Sequence, residues 1–163
     1  MTEMSVEQID RLMNDARIGR LCMADGEGRP YVIPLPFCWD EGSVYVRVSL
    51  TGRKGDVLRE NNRVCFEVDY FSESMDEYGS VLVEGRLARV ENVNEKVRVK
   101  ALNTSKYMRL RKGYRPGHGR STPVEALPVQ KILVHSVSGR MNDPRPVAAG
   151  CSKEQGQCAN FTG

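Results

Sequence analysis

Residues 18–48 read IGRLCMADGEGRPYVIPLPFCWDEGSVYVRV, and this run decides the fold. Three apolar segments, Ile18 to Ala24, Tyr31 to Trp39 and Ser43 to Val48, are separated by the turn signals Asp25-Gly-Glu-Gly28 and Asp40-Glu-Gly42. Short β-like runs punctuated in this way predict two successive β-hairpins. Pro30, Pro34 and Pro36 fall within or beside the middle segment. Proline has no N–H to give to a ladder, so that strand is expected to contain an edge, a bulge or an irregular stretch. Such a stretch leaves backbone groups free to meet a ligand.

The reading extends in both directions. Upstream, Ser5-Val-Glu-Gln8 forms a capping box, and Val6, Ile9, Leu12, Met13 and Ala16 recur at helical spacing as far as about Arg17. Downstream, Gly52 to Asn61 reads as a short helix and Arg63 to Tyr70 as a half-buried strand. A polar excursion, Phe71 to Tyr78, leads into a long strand, Gly79 to Val90, with Gly85 at a bend. A basic helix follows from Asn94 to about Lys112, and Leu127 to Val137 supplies a last strand. Six or so antiparallel strands with flanking helices predict a mainly β fold, and closing it into a small barrel disposes of exposed edges. The expected division is a domain over 1–138 and a tail over 139–163, poor in apolar side chains, that is mobile or lies over a partner surface.

Composition sets the outer limits. The chain has 163 residues, 40% hydrophobic and 28% charged, which fits one soluble domain and excludes a disordered or collagenous chain. The net charge of +3 does not by itself argue for nucleic-acid binding, and no nucleic-acid partner is expected. Charge is uneven, however: Glu91 to Arg120 holds nine Lys/Arg against two Glu, a local excess that makes an anion site worth considering. No run approaches the roughly 18 apolar residues of a membrane span. The N-terminus, with Glu3 and Glu7, lacks the basic and apolar regions of a signal peptide, so no membrane association and a cytoplasmic location are expected. Five Cys without a CxxC pair argue against a complete disulfide framework, and Cys22, Cys38 and Cys65 read as small buried hydrophobes.

The most informative chemical motif is Thr51-Gly-Arg-Lys54 at the end of a strand, closely followed by Arg59. Arg offers a planar fork, Lys a point charge, and Ser49 or Thr51 a hydroxyl, which together can clamp a phosphate. The plainer reading is solvated surface charge. Arg47, on one face with Tyr45 and Ser49, either points outward to water or meets an anion. His118 and His135 have no partners at metal-ligand spacing, and Cys151 and Cys158 read as free cysteines, so no metal is expected. Walker, HExxH, GxSxG and GxGxxG motifs are absent, which removes most support for hydrolase and P-loop readings. The basic residues of the helix from Asn94, Lys96, Arg98, Lys100, Lys106, Arg109, Arg111 and Lys112 among them, read as a solvated face or part of a phosphate pocket.

The ordered combination of IGRLCMADGEGRPYVIPLPFCW, GSVYVRVSLTGRKGDVLRENNRVCFEVD and GSVLVEGRLARV resembles the pyridoxamine 5'-phosphate oxidase-like FMN-binding split-barrel family over about residues 5 to 138, with its nitroimidazole-resistance-like branch the most similar. The resemblance implies a six-stranded antiparallel split β-barrel that forms a homodimer with two FMN sites at the subunit interface. It implies that Arg53 and Lys54 contact the FMN phosphate, and that Arg47, Val48 and Ser49 approach the phosphate and ribityl chain. Val32, Ile33, Pro34 and Leu35 would lay their backbone along the isoalloxazine edge. Many members of the branch have His where this chain has Arg47, and the residues with which pyridoxamine 5'-phosphate oxidase holds its substrate phosphate have no clear match. Vitamin B6 synthesis is therefore not expected. The implied activity is an FMN-dependent oxidoreductase acting on a small molecule, with no side chain assignable as catalytic acid or base. The competing readings are a non-catalytic flavin-binding or interaction module, and a haem-binding split barrel using His118 or His135.

Overall fold

A computed structural model describes residues 1–113 and 122–142. The elements in chain order are β1 (Thr2–Glu3), α1 (Val6–Asp15), β2 (Gly19–Ala24), β3 (Pro30–Leu35), β4 (Phe37–Asp40), β5 (Ser43–Arg47), α2 (Arg53–Glu60), β6 (Arg63–Phe71), β7 (Tyr78–Arg89), α3 (Val93–Leu110), a 3₁₀ turn (Val124–Ala126) and β8 (Val129–Met141). The pairings are antiparallel and follow one path, β3-β2-β6-β7-β8-β5-β4, with β1 added beside β8.

β3 and β4 stand at opposite ends of this path, yet only Pro36 separates them in sequence. Two Cα steps span no more than about 7 Å, so the sheet must curl until its ends lie side by side. The result is the expected split barrel. The strand foreseen over Tyr31 to Trp39 is broken at Pro36 into β3 and β4, and counting these two as one gives the expected six barrel strands. Pro30 and Pro34 lie in β3, a terminal strand of the path, where a missing donor costs the ladder nothing on the open side.

Alternation fills the interior. Leu21 and Met23 of β2, Val44 and Val46 of β5, Val64, Phe66 and Val68 of β6, and Val81, Val83 and Leu87 of β7 are all buried in one core. Leu12 and Met13 of α1 and Val57 and Leu58 of α2 join it, and Phe37 meets Phe66 edge-on at 4.9 Å between centroids. The capping box of α1 is formed: the Gln8 N–H donates to Ser5 Oγ (3.3 Å) and the Ser5 N–H to Gln8 Oε1 (2.7 Å). A second, smaller core of Cys38, Tyr45, Val90, Val99, Leu127 and Val129 joins α3 to the sheet.

Three expectations need correction. β8 runs on to Met141, with Gly139 paired to Val81 and its carbonyl accepting from the Met4 N–H at 3.0 Å. The boundary expected between residues 138 and 139 therefore falls inside a paired strand; residues 143–163, most of the expected tail, lie outside the described residues. The short β1, which propensity does not announce, pairs with that extension. Cys22 and Cys65 are only half-buried, whereas Cys38 is buried as expected. Finally, α3 does not present a uniformly basic face, because Lys96 and Lys106 turn inward, donating from Nζ to the carbonyls of Glu125 (2.6 Å) and Met13 (2.9 Å). The bend expected at Gly85 is present as a register shift between Glu84 and Gly85.

Candidate functional site

After Arg47 the chain leaves the sheet: the Val48 N–H still donates to the Pro128 carbonyl (3.0 Å), and residues 49–52 turn into α2. Gly52 makes that turn possible, with φ 65° and ψ −160°, a region that side chains exclude. Its carbonyl accepts from the N–H groups of Gly55 (2.8 Å) and Asp56 (3.1 Å), which starts the helix. No side chain caps this end, and the N–H groups of Arg53 and Lys54 find no acceptor among the described residues. Gly55 lets the first turn press on the preceding loop, since a Cβ there would stand 2.0 Å from the Leu50 carbonyl oxygen. Ser49 Oγ and Thr51 Oγ1 lie 3.3 Å apart on the same loop.

Two cations, two hydroxyls and two free backbone donors thus gather within a few residues. This is the donor set that suits a phosphate, with the positive end of a helix behind it. Among the described residues Arg47, Arg53 and Lys54 form no ion pair, whereas Arg20, Arg29, Arg59, Arg98 and Arg109 each meet a carboxylate. Arg59, read beside the motif in the sequence, is committed to Asp56.

The Arg53 guanidinium lies over the Tyr31 ring, 4.7 Å from its centroid, which couples α2 to β3. β3 pairs with β2 on one side only, so its other edge presents backbone groups outward. Along it Val32 is 50% exposed and Pro34 is exposed, while Ile33 packs against the core and Leu35 is buried. The structure therefore sets Arg53 against Tyr31, the residue that precedes the Val32–Leu35 segment. Arg47 and Ser49 are exposed at the mouth of the same loop, but the Val48 side chain is in the core and only its backbone can face a ligand. Tyr31 was not singled out in the sequence; the only hint was an aromatic immediately before Val32 on an edge strand.

The remaining candidates lie elsewhere. His135 is exposed on β8, and His118, Cys151 and Cys158 fall outside the described residues. Among the described residues no three His, Cys, Asp or Glu side chains are grouped to hold a metal, and no helix is long and apolar enough to cross a membrane. A concavity of about 630 Å³ is lined by Arg63, Arg86, Leu133 and His135 among others, and none of the expected flavin contacts borders it.

The sequence model of the pyridoxamine 5'-phosphate oxidase family matches residues 5–141. The chain belongs to this FMN-binding split-barrel family. Solved structures agree on the fold. A protein named for 5-nitroimidazole antibiotic resistance from Bacteroides thetaiotaomicron superposes with a TM-score of 0.67 at 21% identity, covering 86% of each chain. A FAD-binding protein from Mesorhizobium loti gives 0.63 at 26% identity, covering 87% of this chain and 98% of that one. The FAD binding protein of Mycobacterium smegmatis gives 0.61 at 17% identity, covering 86% and 98%. No curated protein matches the chain.

Proposed function

We propose that the chain binds FMN on the surface made by the β3 edge, the end of β5 and the start of α2, and acts as an FMN-dependent oxidoreductase on a small molecule. The observation that carries this reading is the pair Arg53–Lys54, without ion-pair partners among the described residues, set at the uncapped start of α2 and tied to β3 through Tyr31. Arg53, Lys54 and the hydroxyls of Ser49 and Thr51 hold the phosphate, with Arg47 and Val48 alongside the ribityl chain. The backbone of Val32, Ile33, Pro34 and Leu35 lies along the ring edge and offers it hydrogen bonds. A bound flavin supplies hydride or single-electron transfer, and these residues bind it and fix its orientation.

The surface is open in a single chain, so a second copy is proposed to complete it, giving a homodimer with a flavin at each of two interfacial sites. FMN is favoured over FAD because the cradle suits a terminal phosphate dianion, whereas an internal pyrophosphate leaves an adenylate to be housed. The test is a visible absorption spectrum of purified protein, then titration with FMN and with FAD, with oligomeric state recorded on the same sample. One flavin per chain in a dimer, with FMN the tighter ligand, supports the reading. Preference for FAD moves the cofactor assignment, and a folded dimer that ignores both flavins removes the function.

A further inference from the structure

The outward face of β6, β7 and β8 carries an unusual pairing of charges. Arg63 and Arg86 occupy directly opposed positions in the β6–β7 ladder, and Arg86 is in turn opposite Leu133 of β8. Their neighbours Val64 and Leu87 are buried in the core, so alternation places both arginines on the outer face. Like charges directly opposed across a ladder repel. Arg20, outward on β2, shows how the same sheet treats a cation that has acids for neighbours: it meets Glu67 and Asp69, each at 2.7 Å. Arg63 and Arg86 instead face each other, and neither forms an ion pair among the described residues. The nearest acid in the ladder, Glu84, accepts from Ser136 Oγ at 2.7 Å.

The surroundings form a receptacle. The register shift at Glu84/Gly85 leaves His135 of β8 without a ladder partner on β7, and it lines the concavity of about 630 Å³ together with both arginines, the Ser136-bonded Glu84 and Leu133, which is 53% exposed. That volume lies in the range of small-molecule sites. Two guanidinium forks match the oxygens of one phosphate dianion, a neutral or charged imidazole adds a donor, and Leu133 offers apolar contact.

We infer that Arg63, Arg86 and His135 bind the phosphate of a small organic phosphate whose apolar body rests on Leu133. Within one chain the site shares no residue with the surface around Arg53, so its failure and the failure of the flavin assignment are read separately. Phenyl phosphate and inorganic phosphate are the ligands to test, by calorimetry and by shifts of the arginine Nε–H resonances, on the full chain saturated with FMN or, if no flavin binds, carrying Arg53→Ala and Lys54→Ala. Phenyl phosphate is expected to bind more tightly than inorganic phosphate, and Arg63→Gln or Arg86→Gln to weaken it by at least about tenfold. Arg20→Gln is expected to leave it unchanged. In the absence of ligand at low salt, Arg63→Gln is expected to raise the melting temperature by relieving the repulsion, and to abolish the further rise that phenyl phosphate gives the unmodified chain. Equal affinity for the two phosphates removes the apolar part of the assignment and identifies an anion site alone. No saturable binding, or binding that survives both substitutions, overturns the inference.

Discussion

The Arg53 guanidinium stands over the Tyr31 ring at 4.7 Å, joining the start of α2 to the edge strand β3. If this junction holds a flavin phosphate, changing Arg53 and Lys54 together to Ala is expected to weaken FMN binding by at least about 2 kcal/mol. Tyr31→Leu keeps both cations but frees the guanidinium, and a smaller loss of about 0.5–1 kcal/mol is expected. Quenching of flavin fluorescence measures both. Unchanged affinity in the double variant would put the phosphate elsewhere.

Gly55→Ala tests the turn itself. The added methyl carbon would stand 2.0 Å from the Leu50 carbonyl oxygen, a backbone atom that cannot swing aside. The turn must open, and a loss of about 1–3 kcal/mol in stability is expected from urea unfolding, with weaker flavin binding beside it. Unaltered stability would show that the loop yields freely.

Lys106 predicts a pH dependence. Its ammonium lies 3.7 Å from the Phe37 ring centroid and donates to the Met13 carbonyl, and burial pulls its pKa down from 10.5 to about 8. Between about pH 8 and 10.5 the unfolded chain holds a proton that the folded chain has released, so this group's contribution to stability rises with pH across that window. Below it the buried charge is a constant cost. Lys106→Met removes the titration and leaves the Met13 carbonyl without this donor. Unfolding of both chains at about pH 7 and about pH 10 should therefore show the unmodified protein gaining on the variant at the higher pH; a pH-independent difference would contradict the burial.

Cysteine labelling gives a further check. Cys22 and Cys65 are directly opposed in the β2–β6 ladder, and burial is the main reason both thiols are pushed up, Cys65 to about 11. Cys38, in the smaller core, is likewise pushed up to about 11. In a chain carrying Cys151→Ser and Cys158→Ser, thiol reagents are expected to react slowly at neutral pH, faster as pH rises, and with Cys38 last. Prompt neutral labelling of Cys65 would mean that β2 and β6 separate readily.

The legible parts of the fold are those written locally. The Ser5–Gln8 capping box, the alternation in β2, β5 and β6, the helix after Gly52 and the bend at Gly85 all rest on neighbouring residues. What escaped depends on distant partners. Lys96 and Lys106 read as part of a solvated basic face because nothing near them in sequence announces the carbonyls of Glu125 and Met13. Gly139 reads as the first residue of an apolar-poor tail, yet Val81 and Met4 hold it in the sheet. At the candidate site, Thr51-Gly-Arg-Lys54 was visible as a motif with phosphate chemistry. Its placement against Tyr31 was not, since only the curl of the sheet brings α2 to β3.

The position of β8 governs how such a chain can be made. β8, the last strand in chain order among the described residues, lies in the interior of the sheet, between β7 and β5, with β1 against it. Until Val129–Met141 has left the ribosome, the β4–β5 hairpin has no place in the ladder, and β7 shows an unpaired flank. A nascent chain therefore holds two separate pieces of sheet, β3-β2-β6-β7 and β4-β5, the second tethered to the first through Pro36 at one end and through α2 at the other. Closure is then a single late event, and a chain cut before Val129 is not a smaller barrel but an open one with its hydrophobic lining in water.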